Sequence, residues 1–385
     1  MLDLAALTPH AVDGLVVHEW GTFTQVSGDD GVAVDWKPLA GPKELPGFVY
    51  DGANGGVRGI GELVPGEPPW SSGGGKSGTR GTVRMETPVI YFYSNREMEA
   101  SVRVEFPGGK ITEWYPAAKD VSHGIDWGRF MIVPKLNAPL LREERGSHYY
   151  AARETDAAPL RVCGAKTEYE KFLFYRGVGT FALPLEAKLD GRSVRLRGPG
   201  GRALGRVIVF ERHGGKLAWR AVDVPAGGVT VERPAGGTFA GLEQELGALL
   251  LDHGLFVKEA RAMLATWRDD WFEDGLRVFY ILPSESTSAA LPLHIEPAPA
   301  ELVRVMVGRA EIITPEAEQA VLDTLGELRG LSHYDYDAIA RRLQARYGRF
   351  AEPIFKRLEE RARSSDEREQ LDLLARALAY GDHAR

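Results

Sequence analysis

A short apolar run near the amino terminus carries an unusual density of polar side chains. Residues 16–24 place His18, Glu19, an indole and two threonine hydroxyls among apolar neighbours. Polar groups in such a run cost free energy when they are buried, unless a partner satisfies them. Two interpretations follow. Either His18 and Glu19 are structural, paired with backbone groups or with an arginine, or they hold a ligand.

The expected geometry of this run limits what His18 and Glu19 can do together. If residues 15–24 form a regular strand, consecutive side chains point to opposite faces of the sheet. The imidazole and the carboxylate then share one metal ion only across a bulge. Gly21 is a residue type that favours a bulge or a close approach of two backbones.

A second group of candidate ligands lies in residues 147–156. Their pattern predicts a strand over 148–154, with His148, Glu154 and Asp156 on one face. At a rise of about 3.3 Å per residue, His148 and Asp156 would lie about 26 Å apart and could not meet. Glu154 and Asp156 would lie side by side, as paired carboxylates suited to a metal or to acid–base chemistry. A salt-bridged strand edge explains the same residues.

Glu86 and Arg176 are candidate catalytic residues beside two aromatic runs. Glu86 precedes the β-branched and aromatic residues 89–93, where its carboxylate could reach a cleft or accept a bond from a loop N–H. Arg176 ends the aromatic run 171–175 and is either an anion clamp or the polar end of a core strand.

Two further positions are weaker candidates. His123 stands three residues before Asp126 in a turn, a spacing compatible with a metal pair, although an Asx turn is the favoured explanation. Glu259 lies on one side of a predicted helix, where a solvated acid is favoured over a buried carboxylate.

The composition excludes several classes of protein. The chain has 385 residues, enough for about two or three domains. A net charge of -7 gives no basic footprint for nucleic acid. No apolar run reaches the ~18 residues of a membrane span, and the first residues lack a secretory signal, which predicts a cytoplasmic protein.

Cys163 is the single cysteine of the chain. We interpret it as a buried core thiol rather than a nucleophile.

The order of sequence patterns predicts an α+β fold. Glycine and proline interrupt strand-like runs up to about residue 235, as in a β-sandwich, and runs 101–106 and 111–115 are predicted to pair as a hairpin. We therefore divide the chain into three regions. The first is a β-rich region at 1–235, which contains a long loop at 26–82. The second is a mixed helix–strand segment at 236–312 that packs on the first. The third is a helical domain at 313–385, which begins with an N-cap signal at Thr314 and Pro315.

Common catalytic motifs do not occur in the chain. His18 and Glu19 are not followed by the second histidine of a zinc-protease helix, and the glycine-rich runs lack the strand–helix context of a phosphate-binding or dinucleotide-binding loop. The glycine–serine elbow of α/β-hydrolases does not occur either. Kinase, nucleotide-hydrolase and common hydrolase readings therefore lose support.

The run His-Glu-Trp-Gly-Thr-Phe-Thr at residues 18–24 resembles the opening motif of a family of bacterial proteins. Residues 85–93, 171–177 and 271–283 are similar to further stretches of that family, and 348–353 also match it. The resemblance spans roughly residues 15–315. It implies no particular activity, cofactor or catalytic residue.

These observations lead to one principal hypothesis and two alternatives. The principal hypothesis is a metal-dependent hydrolase, in which a divalent ion, expected to be Zn²⁺, is bound by residues of the β-rich region and activates water. The metal ligands would come from His18, His123, His148, Glu154 and Asp156; Glu19, Glu86 and Arg176 would be catalytic.

The first alternative is a non-enzymatic binding or scaffold module. It would use a surface of tryptophans to take a sugar or a peptide. These are Trp20, Trp36, Trp70, Trp114 and Trp127. The second alternative is a copper or iron oxidoreductase with Tyr91, Tyr149 or Tyr150 near the metal.

Overall fold

The computed structural model describes residues 14–37, 45–52, 80–144, 146–327 and 333–381. Strands dominate the amino-terminal two-thirds and helices the carboxy-terminal third, so the predicted α+β class is confirmed. Most of the predicted long loop, including Trp70, lies outside the described residues.

Strands and helices follow the chain in this order. The strands are β1 (Val16–Ser27), β2 (Tyr50–Asp51), β3 (Val83–Tyr93), β4 (Met98–Glu105), β5 (Gly109–Tyr115), β6 (Gly124–Ile132), β7 (Leu160–Cys163), β8 (Thr167–Glu170), β9 (Leu173–Gly179), β10 (Glu186–Asp190), β11 (Ser193–Arg197), β12 (Gly205–His213), β13 (Lys216–Val224), β14 (Val229–Glu232), β15 (Gly275–Ile281), β16 (Leu293–Glu296) and β17 (Glu301–Ile312). The helices are α1 (Phe239–Asp252), α2 (Val257–Trp271), α3 (Ser284–Ala290), α4 (Pro315–Glu327), α5 (His333–Tyr347), α6 (Ala351–Arg361) and α7 (Ser365–Gly381).

A nine-stranded sheet is the centre of the fold. Its strand order is β13-β12-β15-β17-β1-β3-β9-β5-β2. β1 lies in the middle, parallel to β17 and antiparallel to β3. All of its residues but one are buried, which is typical of a strand covered on both faces. Because β15 and β17 lie inside this sheet, segment 236–312 contributes two of its interior strands as well as α1 and α2.

Two smaller sheets complete the sandwich-like β region. A five-stranded sheet has the order β16-β4-β6-β7-β8, and a three-stranded sheet has the order β10-β11-β14. The predicted hairpin of β4 and β5 is wrong, because β4 pairs with β16 and β6 whereas β5 pairs with β9 and β2. β4 alternates between buried and outward side chains, whereas β5 is buried from Ile111 to Tyr115, and the turn between them passes the chain from one sheet to another.

The predicted strand at 148–154 is also wrong, since the residues His148–Arg153 form a 3-10 helix. Ser147 begins it by accepting a hydrogen bond from the Tyr149 N–H at 3.2 Å. The turn buries Tyr149, Tyr150 and Ala152. Burial of neighbouring tyrosines therefore outweighs the β preference of this segment.

The helical third packs around its own hydrophobic cluster, which includes Trp36, Val321, Leu343, Phe350 and Phe355. Its predicted start is confirmed: Thr314 Oγ1 accepts the Ala317 N–H at 3.2 Å, and α4 begins at Pro315. No helix within the described residues combines the length and apolar character needed to cross a membrane.

Cys163 is exposed at the end of β7, so its assignment to the core is wrong. The side chains of β7 alternate between buried and solvent-facing positions, and this cysteine falls on the outward side.

Candidate functional site

His18 and Glu19 lie at the middle of the central sheet and point to opposite faces. His18 is paired across the strands with Tyr91 and Val303, and Glu19 with Ile90 and Arg304. The irregularity in the pairing of β1 with β3 lies between Trp20 and Thr22, beyond both residues. No bulge therefore brings the two side chains together, and each has its own set of partners.

The imidazole of His18 is held by a buried carboxylate. Nδ1 of His18 lies 2.8 Å from Oε2 of Glu259. The Tyr93 hydroxyl donates to Oε1 of Glu259 at 2.8 Å, and the Phe256 backbone N–H donates to Oε2 at 2.8 Å. His18 and Glu259 are both fully buried. The carboxylate thus has a donor on each side and fixes the orientation of the imidazole ring.

Helix α2 places Glu259 where it reaches the sheet. Glu259 lies in the first turn of the helix and bonds back to the N–H of Phe256, the residue before the helix. A carboxylate in this position is stabilised by the unpaired N–H groups and the dipole of the helix N-terminus. The helix start therefore holds the acid while its other oxygen partners come from β1 and β3.

The other nitrogen of His18 has no hydrogen-bond partner among the described residues. Nε2 is buried, and the ring stacks on Phe256 with a centroid separation of 4.3 Å. Tyr93 meets the ring edge-on at 5.5 Å. Phe256 itself is partly exposed. Burial, followed by the charge of Glu259, raises the pKa of Tyr93 well above its usual value, and Tyr93 stays a hydrogen-bond donor.

Glu19 belongs to a separate cluster on the other face of the sheet. The Tyr175 hydroxyl donates to Oε1 of Glu19 at 2.5 Å, and Nε of Arg304 donates to Oε2 at 2.6 Å. Burial and then the charge of Glu19 raise the pKa of Tyr175 well above its usual value. A buried carboxylate with an arginine and a tyrosine matches the structural interpretation of this residue.

Glu86 and Arg176 lie close together in a second polar cluster on the His18 face of the sheet. Oε1 of Glu86 lies 3.0 Å from Nε of Arg84, and the Thr24 hydroxyl donates to Oε2 at 2.9 Å. Nη2 of Arg176 lies 3.4 Å from the hydroxyl of Thr87, the residue after Glu86. Glu86 and Arg176 are buried.

The backbone is irregular at this second cluster. Thr87 has a φ of 49°, a conformation that costs a non-glycine residue free energy. The β1–β3, β3–β9 and β5–β9 pairings all shift register here. Gly21 faces Pro88 so closely that an added Cβ would lie 2.9 Å from Pro88 Cα, which confirms the expected close approach. Bulges and strained residues of this kind concentrate at functional sites.

Three of the sequence motifs described above thus meet in space. Residues 18–24 lie on β1, 85–93 on β3 and 171–177 end on β9, and these strands are neighbours in the sheet. The two polar clusters on one face of these strands are built mainly from these segments. This juxtaposition is a property of the fold that spacing along the chain does not reveal.

The remaining predicted ligands are scattered. His123 is exposed and contacts the Ser122 hydroxyl at 3.0 Å, and Glu154 is exposed after the 3-10 helix. Asp156 is exposed and bonds Lys258 at 2.5 Å. His148 lies 4.0 Å from Asp270. The structure therefore does not bring the eight predicted residues into one site.

The described residues do not form a donor set for a metal ion. No three histidine, cysteine, aspartate or glutamate side chains in that part of the chain lie close enough to hold one. His18 has one feature common to metal ligands, a buried carboxylate that contacts one of its ring nitrogens. A zinc site needs three or four protein ligands, so the residues present do not fit the predicted ion.

The tryptophan-surface alternative is not supported by the tryptophans that the structure describes. Trp20, Trp36, Trp114 and Trp127 are all buried, so these four form no exposed binding face. Tyr91 donates to the Ala152 carbonyl at 2.7 Å. The large indoles fill the core instead, as their apolar area favours.

Glu259 is the residue whose role the sequence analysis misjudged. A solvated acid was favoured there, and that interpretation is wrong, because Glu259 is fully buried against His18. Its place in the first turn of a helix was readable from the chain. The identity of its partner, 241 positions away, was not.

Comparison of the sequence with models of protein families gives no match, and comparison with curated proteins gives none either. The function must therefore be argued from the geometry of the site.

Proposed function

We propose that the protein is a hydrolase in which His18 is the general base and Glu259 the residue that orients it. The observation that carries this proposal is the 2.8 Å contact between Nδ1 of His18 and Oε2 of Glu259, with Nε2 left unpartnered among the described residues. A histidine that donates from one ring nitrogen to a carboxylate keeps the lone pair on the other. That nitrogen can then accept a proton.

The chemistry follows from this arrangement. Nε2 of His18 takes a proton from water, and the resulting hydroxide attacks the electrophilic atom of the substrate. Glu259 stabilises the imidazolium that forms, and Tyr93 together with the Phe256 N–H holds the carboxylate in place. The proton then passes from the imidazolium to the leaving group, which restores the base.

Burial of the imidazole sets a condition on this mechanism. His18 is fully buried, and Phe256 stacks on it at 4.3 Å. Phe256 precedes α2 and is partly exposed, while Gly254, two residues earlier, has a φ of 97°. The mechanism therefore requires the side chains that bury Nε2 to move aside, and we propose that the Phe256 ring is one of them; replacement of Phe256 by a smaller residue should lower KM for bulky substrates.

The sequence analysis predicts a metal ion, which the mechanism above does not use. His18 lacks the neighbouring donors that a zinc site requires among the described residues, so no step above is assigned to an ion. Elemental analysis of the purified protein, beside a His18→Gln variant, tests the ion directly. A stoichiometric metal that the variant loses would replace the base mechanism by a metal mechanism at the same residue.

The experiment is an assay of the whole chain against ester, phosphate and glycoside substrates with chromogenic leaving groups. For the substrate that is hydrolysed, His18→Gln should lower kcat by about 100-fold or more, and Glu259→Gln should lower it less. The control is His294→Gln, because His294 also contacts a glutamate, Glu105, at 3.2 Å but on the exposed surface.

Circular dichroism spectra of the variants check that each of them is folded. Absence of hydrolysis with all three substrate classes, or full activity in a folded His18→Gln variant, would disprove the proposal. Equal losses of kcat in His18→Gln and His294→Gln would also contradict it, because the loss of a general base should lower kcat far more than the loss of a surface ion pair.

A further inference from the structure

A group of exposed cations lines a hollow on the three-stranded sheet. Lys188 on β10 and both Arg195 and Arg197 on β11 point to the solvent face, and the hollow that they form with Glu186 is open to solvent. Alternate residues of both strands, Ala187, Val194 and Leu196, are buried beneath it. The cations thus stand on a packed sheet rather than on a loop.

The register of these strands places two like charges directly opposite each other. Lys188 pairs with Arg195, and Glu186 pairs with Arg197. Directly opposite side chains in an antiparallel sheet have Cβ atoms about 4.5–5.5 Å apart, and like charges on opposite positions are unfavourable. The register therefore places two cations side by side in the hollow.

These cations lack carboxylate partners within the described residues. No ion pair shorter than 4.0 Å involving Lys188, Arg195 or Arg197 occurs there, although Glu186 is their neighbour. Two exposed arginines nearby in the sequence are paired, since Arg202 contacts Glu285 and Arg206 contacts Glu245, both at 2.5 Å. The hollow is therefore a locally positive site in a chain whose net charge is -7.

Two of the cationic side chains are held by close contact with glycines. A Cβ added to Gly31 would lie 2.8 Å from Cγ of Lys188, and one added to Gly228 would lie 2.6 Å from Cγ of Arg197. Both glycines have a positive φ. The stems of Lys188 and Arg197 therefore pack against backbone, which lowers the entropy lost when their charged ends bind a ligand.

We propose that Lys188, Arg195 and Arg197 bind the phosphate group of a small molecule. Arginine matches phosphate oxygens with paired N–H donors, and lysine adds a point charge. A compact anion also relieves the repulsion between Lys188 and Arg195. The acidic balance of the whole chain disfavours a long polyanion such as nucleic acid, whose charge would extend beyond the hollow.

Isothermal titration of the full chain at low ionic strength tests this site. The probes are inorganic phosphate, inorganic pyrophosphate and glycerol 3-phosphate. Binding should weaken as salt is added, and Arg195→Gln should raise Kd at least about fivefold. Glu186→Gln should lower Kd severalfold, because it removes the carboxylate beside the anion; a purely structural role of this residue would not produce that gain.

Arg103→Gln is the matched control, since Arg103 is exposed on another sheet and pairs with Glu105 at 3.0 Å. Its Kd should equal that of the wild-type protein. Tighter binding of the ester than of inorganic phosphate assigns the site to a phosphorylated organic molecule, and the reverse order assigns it to the free anion. No binding of any probe at millimolar concentration, or equal Kd in wild-type and Arg195→Gln proteins, would overturn the proposal.

Discussion

His18 and Glu259 are joined by a 2.8 Å contact between Nδ1 and Oε2, across 241 positions of the chain. One residue lies on the central strand of the largest sheet, and the other in the first turn of a helix that packs on that sheet. Both are fully buried. Removing one partner of a buried, hydrogen-bonded pair leaves the other without compensation, so the pair fixes the helix to the sheet as well as orienting the imidazole.

The Tyr93 hydroxyl should contribute measurably to this arrangement. Tyr93→Phe keeps the ring but removes the donor to Oε1 of Glu259. Because hydrogen bonds to charged groups contribute about 1.5–3 kcal/mol, we expect the free energy of unfolding to fall by that amount. Urea denaturation of the variant measures the change. Tyr169→Phe on β8 is the control and should stay within about 0.5 kcal/mol of the wild-type value.

Gly21 should tolerate no side chain. A Cβ there would lie 2.9 Å from Cα of Pro88, which is backbone and cannot move aside. We expect Gly21→Ala to lower the free energy of unfolding by about 1–3 kcal/mol. Gly247→Ala in helix α1 is the counterpart, because its nearest contact is at 3.8 Å. That substitution should raise stability by about 0.5–1 kcal/mol through helix propensity. Similar losses in both variants would contradict the close approach.

Features with a local cause were predictable from the sequence. The apolar run of β1, the start of α4 at Thr314 and Pro315, and the amphipathic helices of the last third follow from residue spacing and capping. Such signals depend on neighbours within a few positions. They also correctly predicted that His18 and Glu19 occupy opposite faces, since that follows from the two-residue period of a strand.

Features that depend on distant partners were not predictable. The alternation in β4 and β5 fits a hairpin, but the strands belong to different sheets, because each finds its partners elsewhere in the chain. Glu259 fits a solvated acid until His18 and Tyr93 are brought to it. Neither strand pairing nor the burial of a single charge leaves a local pattern, so a single sequence does not contain enough information to select them.

Another buried acid, Glu170 at the end of β8, should make stability depend on pH. Burial raises the pKa of Glu170 above its ordinary value, and the hydrogen bonds and charge of Arg153 offset only part of that effect. Between the unfolded and folded pKa values, the folded protein holds a proton that the unfolded chain has released. The contribution of Glu170 to stability is therefore present below the unfolded pKa and decreases as pH rises through the folded pKa.

Glu170→Gln isolates this contribution. Urea unfolding at several pH values from about 4 upward should show that the wild-type protein loses stability relative to the variant as pH rises, by at most about 1.4 kcal/mol per pH unit. Arg153 remains charged throughout and is common to both proteins, so it does not produce the slope. A difference between the two proteins that is constant with pH would show that Glu170 titrates alike in both states.

The contact between the helical third and the central sheet should depend on an aromatic ring. Phe350 is buried, and its ring lies 4.6 Å from the guanidinium of Arg309 on β17 and 5.8 Å from that of Arg277 on β15. A desolvated cation over an aromatic ring contributes about 2 kcal/mol, so Phe350→Leu should lower the free energy of unfolding by roughly that much beyond its packing cost.

Phe355→Leu is the control that measures the packing cost of replacing a buried phenylalanine by leucine, because Phe355 is buried in the same cluster. We expect less than about 1.5 kcal/mol for Phe355→Leu. Equal losses in urea denaturation would mean that the rings matter only for their apolar volume, and that Phe350 adds nothing to the carboxylate and backbone partners of the two buried arginines.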